Sequence, residues 1–240
     1  PRRRRAWGHD GRRAVTGNLN RQKILSAIRS KLGVRGDEAG RRGMARTRID
    51  RAPAGIIPAR AQEDRAALIR RFTAALEMQG ATVERLKKRA EAPEVIASLL
   101  RGLNMPLQLR MGADPLLESM PWDTTPIELK FGAAEGSDFT SISWARCAAA
   151  ETGTLFLASG PDNPSTLNFL PEMHIVMIAA EDIVGPYEEA WGRIRQLHGR
   201  GKMPRTVNLV SGPSRTADIE QTIIMGAHGP KKLVVFIASR

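Results

Sequence analysis

Four short apolar runs constrain this chain more than any other feature. They are "TLFLA" (154–158), "HIVMIAA" (174–180), "TVNLV" (206–210) and "KLVVFIA" (232–238). A strand with one wet face alternates apolar and polar residues, whereas a strand covered on both faces need not. Three of the four runs are nearly continuous in apolar residues, so they read as strands covered on both faces. Between the second and third lies "GPYEEAWGRIRQLHG". Pro186 opens it, Tyr187, Ala190, Trp191, Ile194 and Leu197 form a stripe at helical spacing, and Gly199 closes it. Strand–helix–strand alternation predicts an α/β fold: an open mixed or parallel sheet with helices on both faces.

The upstream half continues the alternation. "QEDRAALIRRFTAALEMQG" (62–80) reads as a helix with Ile69, Phe72 and Leu76 on one face and Gly80 past its end. "ATVERL" reads as a short strand, and "APEVIASLLRGL" as a helix with Pro93 at its first position. "PLQLR" (106–110) and "IELKF" (127–131) alternate as strands do. The α/β domain therefore spans 61–240. Residues 1–17, rich in Arg and Gly, are expected to be disordered. "NLNRQKILSAIRSKLG" (18–33) reads as an amphipathic helix, with Ile24, Leu25, Ile28 and Leu32 in register, giving an N-terminal helical arm. Residues 34–60 read as a linker or arm.

The net charge of +12 suggests nucleic acid until it is located. Residues 1–60 hold 17 Lys and Arg against 4 Asp and Glu, while residues 61–240 hold 20 against 21. A basic tail binds polyanions weakly and without sequence preference. No reading motif accompanies it, so no specific nucleic-acid partner is expected. No apolar run approaches the ~20 residues of a membrane span. No apolar core follows the basic start, so a secretory signal is not expected and a cytoplasmic location is.

Chemistry-bearing motifs are few. The single cysteine, Cys147, sits among small apolar residues and reads as an inert packed thiol. Of the four histidines, His9, His174, His198 and His228, none has a His or Cys partner at metal-ligand spacing, so no metal is expected. His174 reads as a core-edge histidine or a polar contact near a pocket. Walker, dinucleotide and nucleophile-elbow spacings are absent. Two stretches remain. "SGPSRTADIE" (211–220) follows the strand at 206–210 and leads into a helix-compatible segment. Ser211, Gly212, Ser214, Arg215 and Thr216 there suit an anion cradle at a strand-to-helix turn. The same residues suit a capped turn, and spacing leaves both readings open. "AETGTLFLASG" (150–160) places Glu151, Thr152 and Thr154 around Gly153, as ligand contacts or as a tight turn. By residue type, Glu151 and His228 are the catalytic candidates.

Taken in order, "ETGTLFLAS", "LNFLPEMHIVMIA", "SGPSRTADIE" and "GAHGP" resemble the LUD domain family, lactate utilization protein C type, across about residues 62–240. "NRQKILSAIRSKL" resembles the family's usual start, and "PDNPSTLNF" (161–169) departs from it, with Asn163 and Pro164 where an arginine is common. The resemblance implies a core similar to the sugar-isomerase and CoA-transferase type of α/β fold. It implies a cluster-free subunit that supports oxidation of L-lactate to pyruvate beside iron–sulfur partner proteins, which carry the clusters. It also implies a small carboxylate or phosphate ligand, with Thr152, Gly153, Thr154, Ser211, Gly212, Ser214, Arg215 and Thr216 as the ligand-binding set. Glu151 and His228 would line the same cleft. The alternative is a stand-alone CoA-transferase-like or ligase-like enzyme acting on a small carboxylate, with Glu151 as nucleophile. The sequence leaves self-association into a homo-oligomer open.

Overall fold

In the computed structural model, which describes residues 12–53, 55–199, 201–217 and 223–239, the apolar runs become strands of two different sheets. The helices are α1 (Arg12–Leu32), α2 (Ala39–Arg51), α3 (Arg65–Met78), α4 (Ala92–Gly102), the single turn α5 (Pro115–Glu118) and α6 (Tyr187–His198). The strands are β1 (Thr82–Arg85), β2 (Gln108–Met111), β3 (Glu128–Phe131), β4 (Thr140–Trp144), β5 (Cys147–Ala149), β6 (Thr154–Ala158), β7 (Met173–Ala179), β8 (Ile183–Val184), β9 (Val207–Val210), β10 (Arg215–Ala217), β11 (Ile223–Met225) and β12 (Lys232–Ala238).

The main sheet has six strands in the order β1-β12-β7-β4-β2-β3. Every pairing in it is parallel. β7 and β12 pair along their whole length, from Met173 with Lys232 to Ala179 with Ala238. Successive side chains on these strands point to opposite faces, and both faces are covered. Ile142, Trp144, Ile175, Met177 and Phe236 pack with Ile96 and Leu100 of α4. Val176, Ile178, Val235 and Ile237 pack with Ile69, Phe72 and Leu76 of α3 and with Leu155 and Leu157 of β6. That two-sided burial is why the runs show no alternation. The chain is thus α/β with helices on both faces of a parallel sheet.

The second sheet is mixed, in the order β8-β5-β6-β9. β5 runs antiparallel to β6 and parallel to β8, and β6 runs antiparallel to β9. α6 covers its outer face, where Phe156 meets Tyr187 and Trp191 edge-on at 5.5 and 5.2 Å. Two of the four apolar runs, 154–158 and 206–210, are therefore neighbours here and not members of the main sheet.

Three further differences from the sequence reading have physical causes. β4 alternates serine and threonine with Ile142 and Trp144, and β5 carries only Cys and Ala, so neither shows a continuous apolar run, yet both are buried along their whole length. The helix-compatible segment after Pro213 is instead extended. Arg215–Ala217 pairs antiparallel with Ile223–Met225, and residues 218–222 of that expectation lie outside the described residues. β-branched Thr216, Ile223 and Ile224 fit a ladder better than a helix. Finally, α2 lies within the segment expected as a linker.

The chain divides into two units, 1–53 and 54–240. In the first, α1 begins at Arg12, ahead of the expected start, and Gly33 in the left-handed region ends it. The expectation of disorder over 1–11 falls outside the described residues. Ile24, Ile28 and Leu32 of α1 are exposed.

Candidate functional site

The antiparallel register of β6 and β9 pairs Leu155 with Val210, which brings Thr154 opposite Ser211. Thr154 is 1% exposed, and its Oγ1 lies 2.7 Å from each of three hydroxyls: Thr152 Oγ1, Tyr187 OH and Ser211 Oγ. A threonine hydroxyl has one donor and two acceptor sites, so three partners use its full capacity. Two segments far apart in sequence thus meet at one hydroxyl, with a third supplied by α6.

Two glycines seat these loops on the carboxyl end of α3. Gly153 has a φ of +66°, and a Cβ there would stand 2.8 Å from the Ala75 Cβ. A Cβ at Gly212 would stand 2.8 Å from the Gln79 Cβ. Arg215 donates from Nη2 to the carbonyl of Gln79, the residue that caps α3. A cation on the last carbonyls of a helix complements its negative end. Ser214 is a tie point. Its N–H donates to the Pro230 carbonyl at 2.8 Å, and its carbonyl accepts from the Gly226 N–H at 2.9 Å. Its hydroxyl accepts from the His228 N–H at 3.3 Å. The stretch "SGPSR" is therefore braced against α3 on one side and "GAHGP" on the other.

The structure separates the two catalytic candidates. Glu151 Oε1 accepts from the Tyr187 N–H at 3.3 Å, at the start of α6, where the helix dipole favours a carboxylate. Its Oε2 is buried without a hydrogen-bond partner among the described residues. Glu151 lines a pocket of about 450 Å³ on α3 with Arg70, Arg71 and Met78. In that pocket Arg71 pairs with Glu63, and its guanidinium holds the Glu63 carboxyl below its ordinary range. His228 lines another pocket, of about 540 Å³, with Phe139, Phe169, Glu172 and Lys231. That pocket lies at the amino ends of β4, β7 and β12. Thr152, Thr154 and Ser211 come together, Gly153 and Gly212 form their seat, and Ser214 and Arg215 bond to backbone groups of the neighbouring segments. Thr216 stands opposite Ile224 in the β10–β11 ladder, and its side chain lies outside the described residues.

Two features escaped the sequence reading. Tyr187 reads as one more member of an apolar helix stripe, yet its hydroxyl completes the cluster on Thr154. Its position as the first residue of α6, after Pro186, was the available signal. The second is a buried polar network. Ser143 Oγ lies 2.9 Å from Asn163 Oδ1, 3.3 Å from Asn168 Oδ1 and 3.0 Å from His174 Nε2. Ser141 donates to the Leu167 carbonyl at 2.6 Å. The loop "PDNPSTLNF" thus seats on the central strands through hydrogen bonds, and Asn163, 2% exposed, faces inward. His174 is fully buried, and desolvation pushes its pKa down to about 3, so it stays neutral. Cys147 is buried with its thiol pushed up to about 12 by desolvation, which removes it as a nucleophile. Among the described residues no group of three or more His, Cys, Asp or Glu side chains could hold a metal ion.

A family model described as the LUD domain matches residues 69–238. Lactate utilization protein C of Shouchella clausii (strain KSM-K16) is 35% identical over 111 residues, covering 46% of this chain and 48% of that protein. Lactate utilization protein C of Anoxybacillus flavithermus (strain DSM 21510 / WK1) is 33% identical over 116 residues, 48% of this chain and 50% of that protein. The matches thus span about half the length of these curated relatives. The crystal structure of a DUF162 family protein from Deinococcus radiodurans superposes with a TM-score of 0.55 at 20% identity. It covers 74% of this chain and 99% of that one, a likeness of fold alone.

Proposed function

This chain belongs to the LUD domain family, and from that premise, with its similarity to lactate utilization protein C, we propose that it serves in lactate utilization. In this reading it is a cluster-free cytoplasmic subunit supporting oxidation of L-lactate to pyruvate. That oxidation removes two electrons and two protons, and the electrons need an acceptor. Iron–sulfur clusters are held by cysteine thiolates, and the single cysteine here is buried and protonated. The clusters therefore belong to partner proteins. The observation that carries the reading is the family match across residues 69–238, over the segments that build the hydroxyl cluster.

A small carboxylate or phosphate is the proposed ligand of the loops 151–154 and 211–216. Thr152 is exposed and Ser211 and Tyr187 are half-buried, so each retains an outward side beside the cluster. Arg70 of α3 lines the same pocket as Glu151 and supplies a cationic side chain there. Arg215 is committed to α3 and contributes to the seat. The second reading, a CoA-transferase-like enzyme with Glu151 as nucleophile, draws on the unpartnered Oε2 of that residue.

The test is genetic. A strain lacking this gene should fail to grow on L-lactate, and the full chain should restore growth and co-purify with iron–sulfur proteins. Undiminished growth of the deletion strain refutes the assignment. Normal growth with Glu151→Gln, together with no acyl exchange by the purified chain, removes the second reading.

A further inference from the structure

The carboxyl ends of the central parallel strands carry a cavity that the lactate reading does not use. Open α/β sheets bind ligands at that end. The cavity measures about 590 Å³, within the usual size of a small-molecule site. Trp144, the last residue of β4, lines it, with Arg146 just beyond and Asp182 just after β7. One face of α6 forms another wall.

Arg146 is fixed from behind. Its Nη2 lies 3.1 Å from Asp114 Oδ2 and also contacts Asp162. Asp114 is 1% exposed, and its other oxygen accepts from the Leu116 N–H at 2.9 Å at the start of α5. The guanidinium plane is therefore held by a buried acid. Its Nε and Nη1 have no hydrogen-bond partner among the described residues and remain donors for a planar acceptor such as a carboxylate. On the facing wall, Arg193 donates to Asp182 Oδ1 at 2.8 Å and lies 3.9 Å from Glu189 Oε1.

The charge count decides the class of ligand. Two guanidiniums, Arg146 and Arg193, stand among four carboxylates, Asp114, Asp162, Asp182 and Glu189. A simple anion meets a net negative surround there, so a ligand that brings an ammonium of its own is favoured over one that does not. Glu189 is more than half exposed and only loosely held, so it is the carboxylate available to a new cation. Leu116, Trp144 and Leu197 add an apolar surface. Gly192 completes the wall: it lies inside α6, and among the described residues a Cβ there would meet nothing within 4 Å. A glycine in a helix interior is less favourable than alanine, and the room it leaves opens onto this cavity.

We propose that this cavity binds a small zwitterion, an α-amino acid with an apolar side chain. The carboxylate lies on Arg146, the ammonium faces Glu189, and the side chain rests on Leu116, Trp144 and Leu197. The site is independent of the lactate assignment, because it is read by binding to the purified chain and not by growth.

The experiment titrates the full chain by calorimetry with L-leucine and L-phenylalanine. L-lactate, phenylpropanoate, phenethylamine and inorganic phosphate serve as comparisons. At least one amino acid should bind saturably at about millimolar concentration or below, and the probes lacking either charge about tenfold more weakly or worse. Gly192→Leu should abolish binding without lowering the Tm, since it fills the cavity and improves the helix. Arg146→Lys should weaken binding about tenfold through loss of the planar fork. If the Arg146 variant fails to fold, Gly192→Leu alone decides. Absence of saturable amino-acid binding, or binding that survives Gly192→Leu, overturns the site. Equal affinity for phenylpropanoate and L-phenylalanine overturns the choice of a zwitterion.

Discussion

Replacing Thr154 by valine tests whether the hydroxyl cluster holds the two sequence-distant loops together. Valine keeps the volume and the β-branched shape, so no cavity opens and the strand preference is unchanged. What goes is one buried oxygen with three hydroxyl contacts at 2.7 Å. A neutral hydrogen bond contributes about 1 kcal/mol net, which sets an upper figure of about 3 kcal/mol for three. Thr152 is exposed and Ser211 and Tyr187 half-buried, so their hydroxyls recover water and the figure falls to about 1–2.5 kcal/mol. For a unit the size of 54–240, each kcal/mol lowers the Tm by about 2–4 °C, giving a drop of about 2–10 °C. Differential scanning calorimetry and urea unfolding measure it, and the urea slope should be unchanged because the surface exposed is the same. Thr154→Ser, which keeps the hydroxyl, should lose less. Combined with Ser211→Ala, Thr154→Val should fall short of additivity by about 0.5–1 kcal/mol, the signature of groups that share a bond. A Thr154→Val protein as stable as the parent, or strict additivity with Ser211→Ala, would refute the hub.

Two further outcomes follow from the same geometry. Arg215→Ala should cost about 1 kcal/mol of stability, from the lost charge-assisted contact at an exposed helix end, and leave carboxylate or phosphate affinity unchanged. A loss of affinity with no loss of stability would instead make Arg215 a ligand contact. His174 should make stability fall with acid. Its folded pKa is depressed from 6.5 to about 3, so between those values the unfolded chain takes up a proton that the folded chain does not. Its contribution is complete above pH 6.5 and is lost as the pH falls toward about 3, at up to about 1.4 kcal/mol per unit. Urea unfolding of the parent and of His174→Gln across this window checks it: the difference in slope should vanish above pH 7 if the histidine is responsible.

The sequence by itself determined the class of fold. Runs such as "KLVVFIA" and "HIVMIAA" lack alternation because α3 and α4 lie on opposite faces of the sheet. The helices at 65–78, 92–102 and 187–198 were legible for a related reason: a buried stripe imposes a period on the residues that carry it. The ordered motifs also marked the family. Strand partnership was not legible. A run of five apolar residues states that it is covered but not by what, so β6 and β9 read like β7 and β12 although they lie in another sheet. β4 and β5 went unread, since the serine and threonine between Ile142 and Trp144, and the small residues of β5, break the continuous apolar run that marked the other strands.

For the candidate site the division is sharper. Glycine and hydroxyl residues at 152–154 and 211–214 were visible as special, because a turn and a ligand cradle use the same chemistry. Only tertiary structure shows what each of them touches. It placed Arg215 on the end of α3, Glu151 on the start of α6, and His228 at the opposite end of the strands from Trp144 and Arg146. Those assignments depend on side chains more than a hundred positions apart in places, as with Arg215 and Gln79. Local spacing carries no record of such pairings. Composition can say that a carboxylate and a hydroxyl are present; the packing of helix ends against loops decides which of them faces a ligand.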